Sequence, residues 1–173
     1  NPYVYLLRYT GEVEVIDSAK VTKGDFVFKG KAEQPEVVYL STDKQQPFVH
    51  FFLENGRISV DGALSAPADI AVLGTPSNDI QRAFDEKIAA LEEEFAKAGN
   101  DVQRDSLRKE YSKLMSDAVE MNRDNIYGVT TFLNNAYAFL SPEEVMGQIA
   151  LFPAEWQQRR ELTELREATE RKL

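Results

Sequence analysis

Apolar residues alternate with polar ones through the first half of the chain. A period of two places one side of an extended segment on a core, so it predicts β-strands. We predict about seven short antiparallel strands between residues 3 and 73, folded as a sandwich or open barrel. The alternating positions are Val13 and Val15, Phe26 and Phe28, Val38 and Leu40, Val49, Phe51 and Leu53, and Ile58 and Val60.

Turn signals separate these runs. Asn-Gly accepts positive φ at both central positions of a tight hairpin, so a hairpin is predicted at Asn55-Gly56. The predicted turns are Tyr9-Thr10-Gly11, Lys23-Gly24-Asp25, Asp43-Lys44-Gln45-Gln46-Pro47 and Glu54-Asn55-Gly56.

The hydrophobic period changes to 3.6 after Gly74-Thr75-Pro76, where Ser77, Asn78 or Asp79 can cap a helix. Two helical stripes follow: Ile80, Phe84, Ile88, Leu91 and Phe95, then Leu107, Tyr111, Leu114, Ala118 and Met121. Between them, Gly99 suits a helix end and Asn100 or Asp101 a new start. We therefore predict an antiparallel helical hairpin. One bent helix of about 45 residues is the alternative.

Two or three shorter helices are predicted after the hairpin. They cover Gly128 to Leu140, a start at Ser141-Pro142-Glu143-Glu144, and a segment from Pro153-Ala154-Glu155-Trp156 to the end. The predicted class is therefore α+β, with a β-sandwich in residues 1–75 and an α-helical region in residues 76–173. The uncapped, charged last segment, residues 159–173, is typical of a linker helix cut off before a further domain.

Composition narrows the functional classes. The 173 residues hold 29 acidic and 20 basic side chains, and this net charge of −9 opposes binding to nucleic acid or anionic lipid. The absence of cysteine excludes thiol chemistry within these residues. No apolar run approaches the roughly 20 residues of a membrane helix. Since the chain opens on Asn1-Pro2-Tyr3, we expect a targeting signal to be absent or removed.

Candidate metal and acid–base residues have simpler interpretations. His50, the only histidine, alternates with Val49 and Phe51 and should face solvent without companion ligands. The carboxylates at positions 92–94 fan out around a helix, because consecutive residues point about 100° apart. Asp117 and Glu120 share one face but suggest surface charge. A divalent cation on these acidic helices is the least favoured alternative.

The remaining candidate residues lack the partner side chains that a catalytic or binding site would need. Ser18 and Ser41 have no histidine at useful spacing and no nucleophile elbow. Trp156, with Phe152 and Leu162, has the spacing of a core anchor. We predict no catalytic, cofactor or metal site. An exposed aromatic patch for glycans or a protein partner remains an alternative, formed by Tyr3, Tyr5, Tyr9 and Tyr39.

Several segments resemble, in order and spacing, a domain of unknown function in envelope proteins of Bacteroides-type bacteria. In those proteins the domain precedes the thioredoxin-like module of thiol-disulfide oxidoreductases of the alkyl hydroperoxide reductase and thiol-specific antioxidant family. The segments are Val15-Ile16-Asp17-Ser18-Ala19, Gly24-Asp25-Phe26-Val27-Phe28-Lys29-Gly30, Phe52-Leu53-Glu54-Asn55-Gly56-Arg57-Ile58, Gly74-Thr75-Pro76-Ser77-Asn78, Asn125-Ile126-Tyr127-Gly128 and Leu140-Ser141-Pro142-Glu143-Glu144.

The resemblance implies a periplasmic or lipid-anchored envelope protein in which a separate Cys-x-x-Cys module exchanges disulfides with envelope protein thiols. This chain would then be a non-catalytic accessory domain that positions or dimerises that module. No reactive residue transfers to it. The family usually opens with one more strand, so an open sheet edge, paired with a second copy, is also expected. The alternative is a free-standing glycan- or peptide-binding β-sandwich module.

Overall fold

The computed structural model describes residues 2–136 and 140–173, so the end of the predicted helix from Gly128 to Leu140 lies outside the described residues. The chain forms two compact units, Asn1–Arg82 and Ala83–Leu173. Strands belong to the first unit and most helical residues to the second, which confirms the α+β class. The strands are β1 Tyr3–Tyr9, β2 Val13–Lys20, β3 Glu36–Ser41, β4 Pro47–Leu53, β5 Ser59–Asp61 and β6 Ala71–Leu73.

The first four strands form one antiparallel sheet in the order β2-β1-β3-β4, and β5 pairs with β6 in a two-stranded ribbon. The predicted turns after Tyr9 and Ser41 join β1 to β2 and β3 to β4. One β-bulge interrupts the β1–β2 pairing, because Leu6 lies opposite Asp17 but Leu7 lies opposite Val15. Since β1 is paired on both sides, the outer edges of this sheet belong to β2 and β4.

One face of the sheet carries the core of the first unit. Its buried members are Val4, Leu6, Val38, Leu40 and Phe51. Side chains from the segment after β2 and from the β5–β6 ribbon pack against them as a second layer. These partly buried partners include Val21, Phe26, Phe28, Ile58, Val60 and Val72.

Two local predictions were wrong. The segment through Phe26 and Phe28 alternates but is not a strand; a Thr22–Asp25 bridge closes the predicted turn, and the two rings pack edge-on with centroids 5.9 Å apart. The Asn55-Gly56 hairpin is also absent, because β5 pairs with β6 and not with β4. The Asn55 side chain instead donates to and accepts from the backbone of Ala32, both at 3.0 Å.

The helices are α1 Pro76–Lys97, α2 Asp101–Met121, α3 Ile126–Thr131, α4 Pro142–Ile149, α5 Ala154–Gln157 and α6 Arg160–Glu170, with a π-helical segment Phe132–Ala136 after α3. Asn100 caps α2 by accepting from the Gln103 N–H at 2.9 Å. Ser141 likewise caps α4. These ends confirm the predicted break at Gly99-Asn100 and the start at Ser141, and they exclude the single bent helix.

Contacts at both ends show that α1 and α2 form the predicted antiparallel hairpin. The Arg108 guanidinium lies over the Phe95 ring at 5.4 Å near the connection. At the other end, the Phe84 ring meets that of Tyr127, just after α2, with centroids 6.2 Å apart.

The stripe predicted on α2 was partly wrong. Met115 and Val119 are buried, whereas Tyr111 and Met121 are exposed. The buried side is shifted because α3 packs against the end of α2. The backbone of Gly128 approaches the Asn122 carbonyl so closely that a Cβ would collide with it.

Candidate functional site

The segment where strands give way to helix is held by side chains of its own unit. Pro76 opens α1, so Ser77, Asn78 and Asp79 lie within its first turn and not before it. The capping acceptor is therefore Glu54, just after β4, whose carboxylate accepts from the Ser77 N–H at 2.9 Å and the Ser77 hydroxyl at 2.8 Å. An acidic group at a helix N-terminus is also favoured by the helix dipole.

Asn78 and Asp79 have other partners. The Asn78 amide accepts from the Phe52 N–H and donates to the Phe52 carbonyl, both at 2.9 Å, and it also donates to the Thr75 hydroxyl at 2.7 Å. Asp79 accepts from the Gly74 N–H at 2.8 Å. The Gly74-Thr75-Pro76-Ser77-Asn78 motif therefore has a structural role. Sequence reasoning missed Glu54 and Phe52 as its partners, because both are more than 20 positions away.

The other face of the four-stranded sheet is partly exposed and rich in tyrosine, although Leu7 and Ser41 on it are buried. We define the tyrosine face as the alternate residues of β1, the residues of β2 and β3 paired opposite them, and His50 of β4, which is paired with Tyr39. Its members are Tyr3, Tyr5, Leu7 and Tyr9 on β1, Val13, Val15, Ser18 and Lys20 on β2, Tyr39 and Ser41 on β3, and His50 on β4.

Ring contacts hold the tyrosine face together. The Tyr3 and Tyr5 rings lie 24° from parallel with centroids 6.4 Å apart, and Tyr9 meets Tyr39 edge-on at 4.6 Å. Tyr3 and Tyr9 remain 43 % and 40 % exposed. The sequence left open which sheet face is buried; the structure brings the four predicted tyrosines together on the exposed one.

The β3–β4 turn extends over this face. Lys44, which has a positive φ of 65°, places its ammonium 4.9 Å from the centroid of the Tyr5 ring. The Tyr9 hydroxyl donates to the Gln45 carbonyl at 3.3 Å. Lys20 lies opposite Tyr3, and none of the defined members of the face is acidic. No sequence pattern predicts the position of Lys44 over this face, because that position depends on the conformation of the turn.

Asp43 organises that turn. Its Oδ1 atom accepts from the Gln45 and Gln46 N–H groups and the Ser41 hydroxyl, each at 2.8 Å. These hydrogen bonds favour the carboxylate, so the pKa of Asp43 is lowered, first by Gln46, then Gln45 and Ser41. Ser41 is thus buried in a turn network in which its hydroxyl donates to the Asp43 carboxylate.

The other candidate residues lie apart from one another. His50 is exposed, as predicted, with its ring 6.0 Å from that of Tyr39. The three carboxylates at 92–94 are exposed, and Glu93 pairs with Lys97 at 2.9 Å. Asp117 pairs with Lys113 at 3.6 Å. Within residues 2–136 and 140–173, no group of three or more His, Cys, Asp or Glu side chains could hold a metal ion.

The second unit buries its aromatic residues. Phe152, Trp156 and Leu162 are buried, which confirms them as core anchors, and Phe132 packs on Phe152 with centroids 5.5 Å apart. Burial, with a smaller contribution from the charge of Asp85, raises the pKa of Tyr127 to about 12 despite a hydrogen bond with Thr131. The ionised phenolate is therefore disfavoured, which suits a packing role.

Comparison with known proteins gives one match to a family model, over part of the chain. Among the described residues, no helix is both long and apolar enough to cross a membrane. No curated protein and no solved structure matches the chain. Residues 1–81, the strands and the junction up to Asp79 included, match the family described as a domain of unknown function, DUF4369.

Proposed function

We propose that this chain is a non-catalytic accessory domain of a cell-envelope thiol-disulfide oxidoreductase. Its partner would be a thioredoxin-like module carrying Cys-x-x-Cys, with envelope protein thiols as the substrates of the whole protein. The domain would position that module within the cell envelope, either in the periplasm or on a lipid-anchored protein. The chemistry itself would belong to the module.

The observation that carries this proposal is the resemblance of the segments around the strand-to-helix junction, within a region matching DUF4369 and in a chain that lacks cysteine. Asn78, Glu54 and Gly74 serve hydrogen bonding and backbone geometry, so these resembling segments have structural roles. Such roles suit a scaffold better than an enzyme.

Positioning is favoured over dimerisation through a sheet edge. On the β2 edge, the Asp17 carboxylate accepts from the Ser18 N–H at 2.8 Å, and the bulge interrupts the strand next to Val15. Bulges and charged side chains discourage edge pairing. On the β4 edge, the Asn78 amide hydrogen-bonds both the N–H and the carbonyl of Phe52. We expect sedimentation analysis of the chain to give a monomer.

Two measurements test the accessory role. The purified chain should not accelerate the reduction of insulin disulfides by dithiothreitol, because it has no thiol to exchange. The coding sequence after Leu173 should then be read. We expect it to encode a Cys-x-x-Cys module within about one domain length, roughly 100–150 residues.

With that module in hand, the intact protein and a version lacking residues 1–173 should be compared. An accessory domain should leave reduction of a small disulfide unchanged while altering the rate with a protein disulfide. Turnover of any disulfide by the 173-residue chain, or a stop codon directly after Leu173, would refute the proposal.

A further inference from the structure

We propose that the tyrosine face binds an acidic, extended polypeptide segment in a polyproline II conformation. The face combines exposed tyrosine rings with cations in a chain that is otherwise strongly acidic. This binding function is additional to the accessory role and does not depend on it.

Charge is the first argument. The chain carries a net charge of −9, yet none of the eleven members of the tyrosine face is acidic, and the face includes Lys20. Lys44 adds a second ammonium above Tyr5. The nearby Asp43 carboxylate is already engaged by two backbone N–H groups and a hydroxyl. An anionic partner therefore meets local attraction here despite the overall charge.

Partial obstruction of both sheet edges also favours the face, because it hinders the usual way in which a sheet binds a peptide. Strand addition needs free backbone groups along an edge strand. At the two outer strands, Asp17 already binds the Ser18 N–H and Asn78 already binds both backbone groups of Phe52. A partner of this sheet therefore meets interrupted edges, whereas the tyrosine face offers side-chain contacts.

The chemistry of the face then selects the conformation of the ligand. Tyrosine rings offer flat apolar surfaces and isolated hydroxyl groups, but no continuous row of backbone donors and acceptors, so they suit a segment whose backbone stays largely hydrated. The polyproline II helix does this, and aromatic surfaces are its common receptors. The row from Tyr3 to Tyr9 is about 20 Å long, which about seven residues of that helix cover.

A labelled peptide of alternating proline and glutamate, about eight residues long, is the probe; its binding is measured by fluorescence anisotropy in low salt. We expect saturable binding that weakens as salt is raised, since exposed charges are screened beyond about 10 Å at 0.1 M. A proline–lysine peptide of equal length should bind at least about tenfold more weakly. Equal binding of the two peptides would overturn the proposal.

Charge reversal locates the site. The double variant Lys20→Glu and Lys44→Glu should lower the affinity at least about tenfold, because two attractions become two repulsions. The matched control is Lys87→Glu with Lys109→Glu, two exposed helical lysines, with the same change in net charge. An equal loss in the control would mean that net charge, and not this face, binds the peptide, which refutes the site.

The remaining outcomes are also decisive. If Lys44→Glu unfolds the turn, Lys44→Gln removes the charge at similar length, and it should lower the affinity several-fold at an unchanged melting temperature.

Polygalacturonate serves as the glycan probe: if it binds this face and the acidic peptide does not, the occupant is a glycan and the peptide proposal is wrong. Absence of peptide binding refutes this inference alone, since the disulfide assays do not involve it.

Discussion

The amide of Asn78 completes the outer side of strand β4. It is 3 % exposed and satisfies both the N–H and the carbonyl of Phe52, as the backbone of a neighbouring strand would. A buried amide has the one acceptor and two donors that this position and the Thr75 hydroxyl require. Other side chains of similar size lack this combination.

Replacement of this amide tests its role. Asn78→Ala leaves two backbone groups of Phe52 without their partner, so we expect a loss of about 2–4 kcal/mol in the free energy of unfolding. Urea denaturation followed by circular dichroism measures it. The control, Asn100→Ala, removes an exposed helix cap and should cost about 1 kcal/mol. Equal costs for the two variants would contradict the bridging role.

Residue-level geometry at this junction was only partly predictable. Gly74 has a φ of +114°, and a Cβ there would collide with the Arg57 carbonyl, so glycine is required. Its place beside a helix start pointed to a structural role. The partners Glu54 and Phe52, by contrast, lie more than 20 positions earlier in the chain than the residues they bind. A local sequence pattern does not predict contacts between residues so far apart in sequence.

At the scale of elements, the β3–β4 turn depends on an ionised carboxylate. Asp43 accepts three hydrogen bonds that favour its charged form, so its pKa is lower in the folded chain than the ordinary value of 3.8. A lowered pKa means that the folded state binds protons less readily than the unfolded state. The stabilisation is therefore present at neutral pH and is lost as pH falls through the folded pKa.

The pH dependence follows directly. Asp43→Asn should destabilise the chain at pH 7, and the difference from the natural chain should shrink as pH falls below 3.8. Thermal unfolding of both chains between pH 7 and pH 2 measures this. The matched control is the exposed Asp61→Asn on β5, which should show a smaller difference at pH 7. A constant difference across the range would show that Asp43 acts independently of its charge.

Periodicity predicted elements better than it predicted their partners. The alternation in β2, β3 and β4 and the Gly99-Asn100 break located these strands and the two long helices correctly. The pairing of β5 with β6 and the bond from Asn55 to Ala32 depend on long-range competition for backbone groups. The buried side of α2, at Met115 and Val119, is set by α3, which the α2 pattern does not contain.

For the whole molecule, excess negative charge is the dominant electrostatic feature. The chain has a pI of about 4.7, and exposed ion pairs such as Arg160–Glu164 at 2.7 Å contribute little in water. Repulsion among like charges then opposes the compact state. The sequence suggested the four tyrosines of the candidate binding face, but their place beside Lys20 and Lys44 required the structure, because these residues come from separate strands and a turn.

Salt should therefore stabilise the chain. Between 0.01 and 0.3 M NaCl at pH 7 we expect the melting temperature to rise by about 2–4 °C, which corresponds to about 1 kcal/mol for a chain of this size. The rise should vanish near pH 4.7, where the net charge is close to zero. A melting temperature that falls with salt at pH 7 would show that ion pairs outweigh the repulsion.

Because the Asn78 side chain hydrogen-bonds the backbone of β4, fraying of α1 should also affect the tendency of the protein to form fibrils. Whenever the first turn of α1 opens, the amide leaves Phe52 and a short apolar strand becomes available to other chains. The rate of aggregation in concentrated solution then depends on the stability of that first turn, and on the hydrogen bonds from Ser77 to Glu54 in particular. Removal of this carboxylate by Glu54→Ala should promote cross-β assembly before the molecule as a whole unfolds.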